Sequence, residues 1–124
     1  MKFKKIDCIN AVLTEPLRAG EWNSGNNDEC NVCAVGAIFR HCHNINYSAY
    51  IFDEMENNSN ILTDVVSLSS VNNHLLEKRY LHALSCFFEH IMRLTLPDEP
   101  ISNNKRYTLV HFIEAFFPDE INYK

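Results

Sequence analysis

Across residues 74–94, apolar side chains return every three or four positions: Leu76, Tyr80, Leu84, Phe87, Phe88 and Ile91, with Leu81 and Met92 widening the stripe. That period belongs to a helix with one face in the core. Glu77, Lys78, Arg79, His82, Ser85, Glu89 and Arg93 fall on the other side, and Glu89 precedes Arg93 by one turn in the favourable order. The pattern predicts one long helix with a solvated polar face. A last helix over about 104–117 would bury Leu109, Val110, Ile113, Phe116 and Phe117 before Pro118 stops it.

Toward the amino end the elements shorten. Residues 4–14 put Ile6, Ile9, Val12 and Leu13 on one helical stripe, and Thr14-Glu15-Pro16 opens a short turn that ends at Gly20. Residues 21–27 read as a loop, with Trp22 folding back onto the core. Asp28 is placed to cap a helix running to about 43. The small side chains of Cys33, Ala34, Gly36 and Ala37 would let a neighbour approach it closely, which predicts the most buried helix of the fold. A turn at 44–47 leads to a short helix capped by Ser48. Thr63 begins another short element through Val71, where Val65, Val66 and Val71 also suit a strand. Residues 96–103 form a proline-containing connection. The expectation is an all-α fold: a compact bundle of about five or six short-to-medium helices in a single domain over residues 1–124, packed nearer to orthogonal than parallel.

Composition agrees with a self-sufficient core, since 46% of residues are apolar and eight Phe, five Tyr and one Trp supply bulk. A net charge of −5 disfavours direct nucleic-acid binding by phosphate contact. The acids come in short pairs, unlike the dense acidic face of a nucleic-acid mimic. No apolar run approaches the ~20 residues of a spanning helix, so no membrane partner is expected. The opening MKFKKIDCIN turns polar where a secretory signal would turn apolar. A soluble, cytoplasmic protein follows as the expectation, with its five cysteines, an odd count, reduced.

The densest chemistry is Cys30-x-x-Cys33 followed by His41, Cys42 and His43. Thiolate and imidazole are the ligands zinc prefers, and this spacing is half of many structural zinc sites. On one continuous helix, however, Cys30 and His41 would stand about 16 Å apart along the axis, too far to share an ion. A zinc site would need a break near Gly36, or a ligand such as Cys8, Cys86 or His90 from another helix. In the first helical turn Cys30 would have a depressed thiol pKa, the starting point for a nucleophile, but neighbouring Asp28 and Glu29 push the other way. His74, His82 and His90 recur every eight residues and read as a solvated face. The three Gly, at 20, 25 and 36, form no phosphate-binding loop.

The run LTEPLRAGEW followed by CNVCAVGAIFRH resembles a pattern in small uncharacterised bacterial and phage proteins. In these an L-x-x-G-x-W/Y element precedes a Cys-rich C-A-x-G-A helix. HALSCFFEH and FIEAFFPDEI are similar to the carboxyl half of the same group. The resemblance implies a helical architecture and a mobile-element setting; it implies no activity and no catalytic residues.

The function expected first is a non-enzymatic module that binds another protein, such as a component of a host macromolecular complex. An anti-CRISPR-like inhibitor of a host defence system is its specific form. Exposed aromatics rimmed by acids would carry the contact: Trp22, Tyr47, Tyr50 and Tyr107, with Asp53, Glu54, Glu56, Asp119 and Glu120. No catalytic residue, cofactor or metal belongs to this reading, and a homodimer through the Phe-rich helices is compatible with it. Two other classes remain open: a zinc- or redox-linked structural module on Cys30, Cys33 and His41, and a cysteine-dependent hydrolase or transferase using Cys30.

Overall fold

The two ends of the chain are hydrogen-bonded to each other. In the computed structural model, which describes residues 1–17, 23–24, 31–32, 34–44, 68–92 and 101–123, strand β1 (Lys2–Lys4) runs antiparallel to strand β4 (Glu120–Asn122). Phe3 lies opposite Ile121 in this register, and both side chains point inward between exposed neighbours. Three residues of alternation are too few to announce a strand by periodicity, so neither β1 nor β4 was expected from the sequence. The Met1 amino group and the Tyr123 amide extend the ladder, each bonding the other residue's carbonyl at 2.8 and 2.7 Å.

Five helices are described: α1 (Lys5–Thr14), α2 (Ala34–His43), α3 (Leu68–Leu76), α4 (Tyr80–Met92) and α5 (Asn103–Phe116). The fold is mostly helical, as expected. Helix α1 packs on α2 and α5, while α4 packs on α2, α3 and α5, so α1, α2, α4 and α5 surround one core. Its largest fully buried side chains are Phe3, Phe39, Phe88, Leu17, Ile38, Leu84, Leu109 and Ile113. Helix α2 is buried at every position from 34 to 39, and small residues permit contact on several sides. It is the central helix the sequence predicts.

Several boundaries differ from the sequence expectation. Helix α2 starts at Ala34, not Asp28, because Asn31–Val32 (β3) pairs instead with Asn23–Ser24 (β2), inside the stretch read as loop. On α1 the buried face is Cys8, Ala11 and Val12, while Ile6 and Leu13 point outward. Phe116 is half exposed, and Phe112 takes its place in the core, stacked on Phe87 with centroids 4.4 Å apart. The elements expected over 48–57 and 63–67, and the connection at 96–100, lie outside the described residues.

The long helix over 74–94 is two helices. Helix α3 ends in a hydrogen-bonded reversal: the Lys78 amide donates to the Leu75 carbonyl at 3.1 Å and the Arg79 amide to the His74 carbonyl at 2.8 Å. That pair of bonds is the Schellman arrangement, whose pivot residue must be left-handed. Lys78 occupies the pivot at φ 59°. Glycine usually stands there, and its absence lets the apolar period run on through the break without a stop signal. The reversal lays α3 back against α4, and Leu76, counted into the apolar stripe, is 80% exposed.

Helix α5 begins as its sequence suggests. The Ser102 hydroxyl accepts from the Lys105 amide at 3.3 Å, an N-cap, and Pro118 follows the last turn. One guanidinium then joins α5 to α1: Arg106 donates to the Val12 and Glu15 carbonyls, both at 2.8 Å. These belong to the last turn of α1 and the residue after it, where carbonyls lack helical partners.

Two substitutions test these assignments by urea unfolding. Lys78→Gly relieves the left-handed pivot and is expected to stabilise the protein by about 1 kcal/mol. Phe39→Ala, at the centre of α2, is expected to cost about 3–5 kcal/mol.

Candidate functional site

Helices α1 and α5 run antiparallel. The strand leading into α1 pairs with the one leaving α5, the Lys5 amide donates to the Asp119 carbonyl at 2.8 Å, and Arg106 near the start of α5 reaches the end of α1. Ile6 and Leu13 stand seven residues, about two turns, apart and so share one side of α1. Tyr107 and Glu114 share one side of α5 by the same spacing. On α1 the buried side is Cys8, Ala11 and Val12, and Phe112 of α5 stacks on Phe87 of α4. Given those orientations, the two stripes flank the outer groove between α1 and α5. Leu13 lies toward its Tyr107 end and Ile6 toward its Glu114 and Asp119 end.

The groove is apolar where it faces outward, and its Asp119 end carries charges of both signs, with exposed Lys4 opposite Glu120. Ile6 is 58% and Tyr107 56% exposed, well above what most large apolar side chains of this fold retain. Glu114 is exposed and lies 3.8 Å from His111 one turn away. Asp119 and Glu120 are exposed just beyond the helix, with Lys2 3.7 Å from Glu120. A contact between side chains this open leaves much of the charge available to a partner.

Of the nine residues singled out from the sequence for partner binding, Tyr107, Asp119 and Glu120 belong to this surface. Trp22, Tyr47, Tyr50, Asp53, Glu54 and Glu56 lie outside the described residues. Ile6 and Leu13 were missed because the stripe on α1 was phased toward the core. The signal was present in Cys8 and Ala11, which mark a second and truly buried side.

A second concave region lies where α3 turns into α4. Lys78, Arg79, Tyr80, His82 and Tyr123 are among the residues lining a cleft of about 210 Å³. His82 and Ser85, assigned to a solvated face, are both buried, as is His74. The His74 and His82 rings lie 5.7 Å apart, the Tyr123 ring stacks on His82 at 6.4 Å, and Arg79 Nε donates to His74 Nδ1 at 3.0 Å. The reversal at Lys78 turns these histidines inward, which a straight helix would not do. The volume is below the ~300–1,000 Å³ of ordinary small-molecule sites, so the cleft is small for such a ligand.

The cysteine readings also change. Residue 30 precedes β3 and not a helix, so the first-turn argument for an activated Cys30 falls. For the same reason the 16 Å helical separation of Cys30 from His41 does not apply. Cys30 and Cys33 themselves lie outside the described residues. His41 Nδ1 lies 3.7 Å from Glu15, with Arg40 3.8 Å from the same carboxylate, and His43 Nε2 donates to the Lys2 carbonyl at 2.7 Å. Among the described residues, no group of three or more His, Cys, Asp or Glu side chains is placed to hold a metal ion. Nor, among them, is any helix long and apolar enough to cross a membrane. Compared with protein-family models, curated protein sequences and solved structures, the chain has no match in any of the three.

The groove can be altered without harming the fold. Ile6→Arg and Tyr107→Arg are expected to change unfolding free energy by no more than about 0.5 kcal/mol, as exposed positions do. Arg106→Ala leaves two carbonyls without their shared donor and is expected to cost roughly 2 kcal/mol. Thermal or urea unfolding of the three variants separates these outcomes.

Proposed function

We propose that this protein is a non-enzymatic module that binds another protein through the α1/α5 groove. The partner presents an apolar patch. The observation that carries this reading is the exposure of Ile6, Leu13 and Tyr107 on two helices packed against each other, with Glu114, Asp119 and Glu120 also exposed. An apolar centre supplies affinity by desolvation, and a charged rim supplies orientation and association rate. The net charge of −5 adds long-range attraction toward a basic surface. In its specific form the module is an inhibitor that occupies a working surface of a host complex. The resemblance to small bacterial and phage proteins implies a mobile-element setting, where small acidic helical domains commonly act as inhibitors, and an anti-CRISPR-like role is the specific form of that analogy.

The test is a paired capture from nuclease-treated host lysate, using the wild-type chain and an Ile6→Arg/Tyr107→Arg variant of unchanged melting temperature. A stoichiometric partner held by the wild type and weakened about tenfold or more by the variant is expected, the loss typical of central interface residues. The same partner retained equally by both would move the contact off this groove. No stoichiometric partner, with the wild type sedimenting as a monomer, would overturn the binding-module reading.

A further inference from the structure

The cleft at the α3/α4 reversal is basic, although the chain as a whole carries a net charge of −5. The reversal supplies Lys78 and Arg79, the first turn of α4 supplies Leu81 and His82, and the carboxyl end supplies Asn122 and Tyr123. None of the described residues lining it is acidic. Lys2 and Arg40 meet Glu120 and Glu15, whereas neither Lys78 nor Arg79 forms an ion pair among the described residues. Two positive charges are therefore left facing one concave space without a protein counter-charge.

Both cations are held in ways that stability alone does not require. Arg79 Nε donates to Nδ1 of buried His74 at 3.0 Å, which orients the guanidinium and leaves its two terminal NH2 groups outside that bond. An arginine N–H only donates, so His74 accepts at Nδ1 and is neutral, with its proton on Nε2. Lys78 occupies the left-handed pivot at φ 59°, a conformation that glycine would adopt without steric cost. What lysine brings to the pivot that glycine cannot is an ammonium beside the cleft. Backbone strain of this kind gathers at binding sites.

We propose that this cleft binds a phosphate dianion, either free or as the end group of a small phosphomonoester. A phosphate group carries about −1.5 to −2 charges at neutral pH, which two cations match. The planar guanidinium fork suits two of its oxygens and the ammonium can take a third. A carboxylate, with one charge and two oxygens, would leave one cation unmatched. The volume of about 210 Å³ is small for a drug-sized ligand but accommodates a tetrahedral anion with several waters. Leu81, Ile121 and the stacked His82 and Tyr123 rings form low-dielectric walls that strengthen the attraction between anion and cations. The first turn of α4 lines the same space and adds the positive end of its dipole.

The experiment titrates the full nitrogen-labelled chain with inorganic phosphate and, separately, with glycerol phosphate, following amide and Arg79 Nε–H resonances at neutral pH. Acetate and chloride at matched ionic strength are the controls. Saturable shifts are expected at Arg79 Nε–H and at the amides of Tyr80, Leu81 and Asn122, with both phosphates and with neither control. Tighter binding of the ester identifies a phosphate carried on an organic group, and tighter binding of inorganic phosphate identifies the free ion; either upholds the site. Arg79→Gln is expected to weaken phosphate about tenfold or more, the loss of a charge-assisted pair. Because that change also removes the bond to His74, Lys78→Gly is the second variant. It is expected to weaken phosphate several-fold while raising the urea midpoint, an opposition that a purely structural lysine would not produce. No saturable response to phosphate, an equal response to acetate, or unchanged affinity in both variants would overturn the proposal.

Discussion

The pairing of residues 2–4 with residues 120–122 holds the rest of the structure in place. It is only three residues deep, yet it inserts Phe3 and Ile121 into the same core from opposite ends of the chain. Phe3 lies against the Phe39 ring at 4.7 Å and the His43 ring at 4.8 Å, so the strand is seated on the central helix. Tyr123, one residue beyond β4, reaches Phe39 and His82 and links the same strand pair to α4. Burying side chains of this size is worth roughly 1.5–3 kcal/mol each. The exposed Lys2–Glu120 pair adds little beside that. Apolar burial, with the backbone ladder, is what holds the ends.

That closure explains why α1 presents an outward apolar side. With β1 fixed on β4 and Lys5 bonded to Asp119, the start of α1 cannot rotate, and Arg106 holds its other end through two carbonyls. Cys8, Ala11 and Val12 must then face inward, which turns Ile6 and Leu13 out beside Tyr107. The apolar residues of α1 outnumber the places the core offers it. A helix held rigidly at both ends is a good platform for recognition, because little order is lost when a partner docks.

How much of this is legible in the sequence depends on the range of the determining interaction. The helical class, the deep burial of α2 and the extent of α5 follow from local signals: small residues at 34, 36 and 37, Ser102 as a cap and Pro118 as a stop. The break before α4 was hidden because lysine holds the left-handed pivot where glycine would have announced it. The strands at the ends depend on residues far apart in sequence, which no local period encodes. Tyr107, Asp119 and Glu120 could be named as surface candidates from residue type. Their assembly with Ile6 and Leu13 required knowing which side of α1 the fold closes over.

Native-state hydrogen exchange tests the closure most directly. The amides of Lys5 and Tyr123, bonded to the carbonyls of Asp119 and Met1, are the reporters, and those of Leu84 and Phe88 in α4 are the reference for the core. If the paired ends fasten the fold, Lys5 and Tyr123 exchange only through global opening, with the same free energy as Leu84 and Phe88. Rapid exchange at Lys5 and Tyr123 while α4 stays protected would contradict the account. The ends would then fray independently, and α1 would not be a fixed platform.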